Sequence, residues 1–291
     1  MLKELFSIFG IAVMAAVSPV SAGGDEKDTG FYFAVMVKSS NYAQNAQGEL
    51  KLLNYHFFSE VFPKDPDTRL SGKLWREGNE VSAMPYVKRK SNYYIEGGHF
   101  DSLQEVDRAY PNGLYYLSIE TDRLAIDKQP LLLSGSDGQT EIPDPIQIFL
   151  SQDGARVAPD RLDPDKALTI SWSPYSNGRA DPNGIVDDMI FVVLQNCRGE
   201  RIVHTGLPFA GSYMTYEATR IPVDQGKLKP GQSYSMFVEF PHVADSRIAE
   251  GVPLFSSYAT ATYLDLKTLG ESADDECLSK MPPMDTGQTD R

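Results

Sequence analysis

Leu228-Lys229-Pro230-Gly231-Gln232-Ser233-Tyr234, running on into the apolar-rich Ser235 to Phe240, is the stretch whose reading decides the fold. Pro230-Gly231 turns the chain, because proline presets one backbone angle and glycine tolerates the other. Tyr234 then enters the following run with a ring to bury and a hydroxyl able to bond backbone upstream, which fixes the corner. Some sixty residues earlier, Leu168-Thr169-Ile170-Ser171-Trp172 alternates apolar and polar side chains, the mark of a half-buried strand. Trp172 supplies one large side chain on which two sheets can pack. Trp172 and Tyr234 are therefore expected as internal anchors.

Working outward, the second half reads as seven short strands. They are Ile146 to Leu150, Leu168 to Trp172, Met189 to Asn196, Arg201 to Thr205, Thr219 to Val223, Ser233 to Phe240 and Tyr258 to Leu266. Their spacing, with Pro, Gly and Asn between them, suits an antiparallel sandwich. Over residues 142–268 the inward Trp172 strand and the Leu228-Lys229-Pro230-Gly231-Gln232-Ser233-Tyr234 corner resemble fibronectin type III domains, which are immunoglobulin-like sandwiches. The resemblance implies a β-sandwich whose business is surfaces and spacing. Two connections depart from it, Pro174 to Asp188 and Pro241 to Pro253, both longer than that family's and read as insertions.

The first half matches no recognised family. Phe31 to Val37 is a continuous apolar run and reads as a buried strand; Tyr55 to Val61, Ser71 to Trp75, Met84 to Lys88, Tyr93 to Glu96 and Leu114 to Glu120 are further strands. One helix stands out. Ser102 and Glu105 form a capping box, Leu103, Val106 and Tyr110 share a face, and Pro111-Asn112-Gly113 ends it. The fold expected is all-β, two sandwich-like domains in tandem, the first with one short helix and the second fibronectin type III-like.

The organisation follows. Residues 1–22 read as a signal peptide: a short basic start, a mostly apolar Leu5 to Val17, and Val20-Ser21-Ala22 for cleavage. Residues 23–30 are a polar leader, 31–138 the first domain, 139–269 the second, and 270–291 an acidic, proline-bearing tail expected to lack order. No apolar stretch after Ala22 reaches membrane-spanning length, so the mature chain is expected in the periplasm or outside the cell. The absence of any Asn-x-Ser/Thr sequon favours a bacterial source.

Charge narrows the partners. Forty acidic against 27 basic residues give a formal charge of −13, a field that repels nucleic-acid backbones and anionic lipid. The two cysteines, Cys197 and Cys277, would meet an oxidising compartment after export. They either form a bridge that pins the tail or remain two unrelated thiols.

Catalytic signatures are not found: no nucleophile elbow, zinc-protease helix, phosphate loop or dinucleotide fingerprint. His56 lies within a strand, where a hydrogen-bonded histidine is commoner than a ligand. His99 stands three residues from Glu96, a spacing that permits an acid/base pair, yet no nucleophile or metal partner accompanies them in sequence. Asp181, Asn183, Asp187 and Asp188 cluster around Gly184 and offer oxygens to calcium, although the same residues make an ordinary inter-strand turn. Tyr93, Tyr94, Tyr213 and Tyr216 offer rings that could stack on sugars, but core and edge packing is the better reading, since Tyr213 and Tyr216 would point to opposite faces of a strand. No cofactor is expected. The function expected is an exported non-catalytic binding or structural module making protein or glycan contacts. The alternative is an exported polysaccharide-acting enzyme with a carboxylate pair.

Overall fold

The computed structural model describes residues 28–271. Two long strands open it, β1 (Phe31–Gln44) and β2 (Leu50–Pro63). Then come β3 (Ser71–Arg76), β4 (Met84–Pro85), β5 (Val87–Lys88) and β6 (Tyr93–Phe100). Helix α1 (Leu103–Ala109) leads into β7 (Gly113–Glu120) and β8 (Ala125–Leu133). The second half adds β9 (Ile148–Gln152), β10 (Ala155–Arg156), β11 (Leu168–Trp172), β12 (Met189–Asn196) and β13 (Arg201–His204). It ends with β14 (Met214–Thr215), β15 (Arg220–Val223), β16 (Ser233–Ala249) and β17 (Val252–Lys267). The segments read as signal peptide and tail, and most of the leader, lie outside the described residues.

The fold is all-β and sandwich-like, with one short α-helix among the described residues. A nine-stranded sheet, ordered β13-β12-β16-β17-β1-β2-β6-β5 with β14 beside β12, spans both halves, and two four-stranded sheets cover one face of it. Over the first half, β4-β3-β7-β8 closes a core in which Leu74, Leu117 and Leu131 meet Met36, Phe57 and Val61. Over the second, β10-β9-β11-β15 closes another in which Leu150, Ile170 and Trp172 meet Val192, Met236 and Leu264. Period-two alternation accounts for this: the buried positions of β9 and β11 fall on every second residue.

Both anchors are internal. Trp172 is 5% exposed and donates its indole N–H to the Ala218 carbonyl at 3.1 Å. Tyr234 is fully buried, and its hydroxyl accepts from the Lys229 backbone N–H at 2.6 Å, closing the corner. The helix also forms where its cap specified. Ser102 accepts from the Glu105 N–H at 3.3 Å, and Val106 is fully buried. The reciprocal arm of the box is displaced by one residue, with Glu105 accepting from Asp101 instead of Ser102. Lys38, fully buried on β1, reaches Asp107 of the helix at 2.6 Å and Asn112 at 2.8 Å.

Three features differ from the sequence reading. The stretch 241–253 is not an insertion; it continues β16 and β17 as one long hairpin, paired from Ser233↔Lys267 to Ala249↔Val252. Its turn, Glu250-Gly251, has both φ angles positive (50° and 80°), as a two-residue hairpin turn twisted to match its strands requires. Pro241 falls beyond the reach of β12, whose ladder with β16 stops at Phe191↔Glu239, so the proline sits where the strand has a single neighbour. Secondly, β8 was not anticipated. Its alternation is broken by a bulge near Lys128 (φ 44°) and by Pro130, although Ile126, Leu131 and Leu133 are buried. Thirdly, the sheet contains one parallel ladder, between β1 and β17, from Ala34↔Leu254 to Ala43↔Tyr263. Through it the closing hairpin delivers Ala249, Val252, Leu254 and Tyr258 to the first core.

Candidate functional site

On the outer face of the large sheet, β2 and β6 bring together three side chains with lone pairs to offer. The ladder runs Tyr55↔Phe100, His56↔His99 and Phe57↔Gly98, then skips to Phe58↔Glu96. Gly97 is the extra residue of a bulge. In a regular strand, residues three apart point to opposite faces; the inserted residue restores Glu96 and His99 to one face. Glycine is required there. A Cβ on Gly97 would lie 2.6 Å from both the Phe57 ring and the Phe57 carbonyl oxygen. The bulge is pinned from the helix side, where Tyr110 stacks on Phe57 (3.9 Å between ring centres, 6°) and donates its hydroxyl to the Gly97 carbonyl at 2.9 Å.

The resulting cluster is compact. His56 Nε2 lies 2.7 Å from Glu96 Oε1, and the His56 and His99 rings stack at 4.2 Å and 9°. One ligand atom from each of His56, Glu96 and His99 falls within 4.8 Å of the other two. The same Oε1 of Glu96 accepts from the Gly98 N–H at 2.9 Å, while its Oε2 is 3.9 Å from Arg89. Arg89 lies flat over Tyr94 at 3.6 Å, and the Tyr94 hydroxyl approaches His56 Nε2 at 3.4 Å. Burial opposes ionisation of Glu96, but the hydrogen bond from His56, its charge and the Gly98 N–H outweigh that and hold the carboxyl below its ordinary range. Partial desolvation by the sheet beneath it, then the neighbouring His56, lowers the pKa of His99. The trio thus places a carboxylate that favours its charged form and an imidazole that favours its neutral form around the buried His56.

Sequence spacing had isolated Glu96 and His99 but not His56, which precedes Glu96 by 40 residues and meets it only through the strand register. The signal available was the Gly97-Gly98 pair between the two, a glycine doublet inside a strand pattern being a bulge indicator.

Asp181, Asn183, Asp187 and Asp188 also come together, as a hydrogen-bonded clasp. Asp181 accepts from the backbone N–H groups of Asn183 (3.0 Å), Ile185 (2.9 Å) and Val186 (3.1 Å) and from the Ser246 hydroxyl (2.6 Å). Asp187 accepts from the Asp181 N–H at 2.9 Å, and Asn183 donates to the Ser246 carbonyl at 3.0 Å. Asp188, 1% exposed, accepts from the Val243 N–H at 2.7 Å and the Arg179 N–H at 3.1 Å, and pairs with His242 Nδ1 at 2.7 Å. On its other side His242 Nε2 faces Arg179 and Glu141, so the Asp188–His242 pair orients no nucleophile. The clasp fastens the 174–188 connection to β16.

Tyr93 and Tyr94 are buried and Tyr213 and Tyr216 half-buried, so these four form no exposed stacking platform. Cys197 sits in the turn after β12, and Cys277 lies outside the described residues. Among the described residues no helix is long and apolar enough to cross a membrane.

No family model matches the chain, and no curated protein does. Among solved structures, one similar chain is a "Biofilm associated protein - BSP domain", at 8% identity and a TM-score of 0.20, covering 81% of this chain. The chain spans 30% of the length of that structure.

Proposed function

We propose that the chain is an exported, non-catalytic binding or structural module that works through protein contacts, its second sandwich fibronectin type III-like. The observation that carries this is two exposed valines, one on the edge strand of the large sheet and one in the segment that leads to it. Val81, 99% exposed, tips the turn before β4, and Val87, 62% exposed, lies on β5, the edge strand of the nine-stranded sheet. An edge strand carrying an exposed β-branched side chain is a template for a partner's backbone and apolar side chains. The fibronectin-type reading is supported by the Trp172 and Tyr234 anchors and by β9-β11-β15 facing β13-β12-β16-β17. The apolar segment at residues 5–17 and Val20-Ser21-Ala22 support export.

The test is capture from native envelope or medium with wild type and with a Val81→Glu/Val87→Glu double variant. One stoichiometric protein partner, recovered by the wild type and lost by the variant, supports the reading. Equal capture by both removes the two valines from it, and turnover of any polysaccharide by the pure protein overturns the non-catalytic reading.

A further inference from the structure

We propose that His56, Glu96 and His99 form a binding site for a divalent transition-metal ion of the zinc type. The donor set selects the ion. Two imidazole nitrogens and one carboxylate oxygen suit zinc and its neighbours, whereas calcium and magnesium require six or more oxygens. Three protein ligands leave a fourth position for water or for a donor from a partner.

The scaffold is built before any metal arrives. His56 and His99 are directly opposed across an antiparallel ladder, and the Gly97 bulge brings Glu96 onto their face. Tyr110 and Phe57 lock that bulge from the core side. Arg89 lies towards Glu96 Oε2, which directs Oε1 at the histidines, and the Gly98 N–H orients that oxygen further. Such outer contacts fix a ligand's orientation in metal sites. Binding replaces the hydrogen shared by His56 Nε2 and Glu96 Oε1 with the ion, the proton passing to solvent. The two histidine rings are parallel, so their lone pairs do not yet converge. Among the described residues no hydrogen bond restrains the exposed His99 ring, and rotation about its side-chain torsions supplies the convergence.

The experiment is titration of chelator-treated full-length mature protein with zinc chloride, followed calorimetrically. Wild type is expected to bind one ion per chain. His99→Ala, at an exposed position, is expected to keep the wild-type melting curve while affinity falls about a hundredfold or more, since even outer partners of metal ligands are worth roughly 10–100-fold. Glu96→Gln is expected to weaken binding in the same sense, and His204→Ala, on the distant β13, to leave it unchanged. Absence of one-to-one zinc binding by the wild type overturns the proposal. So does binding that survives in both His99→Ala and Glu96→Gln, or that is lost in His204→Ala alone.

Discussion

The hydroxyl of Tyr234 lies 2.6 Å from the backbone nitrogen of Lys229, closing the corner that runs from Lys229 to Tyr234 at the margin of the second core. Replacing Tyr234 by Phe keeps the ring and removes the acceptor of the Lys229 N–H. The expected cost is about 0.5–1.5 kcal/mol, read as a lower urea midpoint with an unchanged slope. A midpoint equal to wild type would mean that water satisfies the nitrogen and that the corner is held by packing alone.

Asp181 gives the clasp a pH dependence of definite sign. Burial works against its charge, yet Ser246 and the N–H groups of Asn183, Val186 and Ile185 together hold the carboxyl below its ordinary value of 3.8. The folded state therefore binds fewer protons than the unfolded chain between the depressed pKa and 3.8. The stabilisation is complete above that window and disappears as pH falls through the folded value. Asp181→Asn should lower stability near neutrality and flatten the acid limb of thermal melts collected between about pH 5 and pH 2.

Glu239 should act in the opposite direction. It lies opposite Phe191 and Ala261 in the sheet, and burial pushes its carboxyl up to about 7. A carboxyl raised from 4.5 favours folding below that value and loses the contribution as pH rises through about 7. Glu239→Gln should match wild type in melts near pH 5 and exceed it near pH 8 (both about). Parallel pH profiles for the two proteins would place the residue in water.

For the cysteines the expected outcome is a Cys197–Cys277 bridge, the sequence having only these two and an exported chain meeting an oxidising compartment. Denatured, unreduced protein should then show no reactive thiol, and Cys277→Ser should show one. Losing a bridge that closes a loop of about 80 residues costs at most roughly 4.5 kcal/mol on the chain-entropy account. Two titratable thiols in the native chain would refute the pairing.

The parts of this fold legible in the sequence were those set by local pattern. β11 and β12 fall on the residues that alternation and β-branched content had marked, and α1 starts at its capping serine. What escaped was non-local or irregular. β8 hid behind a bulge and a proline, and Pro241 and Pro253 masked strands that run straight through them. Glu96 and His99 attracted notice by spacing, whereas His56 acquired its role from a register that no short window contains. The acidic turn at Asp181 was found for its oxygens; the backbone N–H groups that occupy those oxygens became visible only in three dimensions.

The pairing of the first strand with the last has a consequence for biogenesis. Phe31–Gln44 obtains one of its two neighbours from Val252–Lys267, more than two hundred residues downstream. A chain emerging amino-terminus first, from the ribosome or through a translocation pore, leaves that flank unsatisfied until its final hairpin has followed. Such long-range closure is slow and exposes an aggregation-prone edge. Truncation before residue 252 removes that neighbour altogether and should yield an insoluble product.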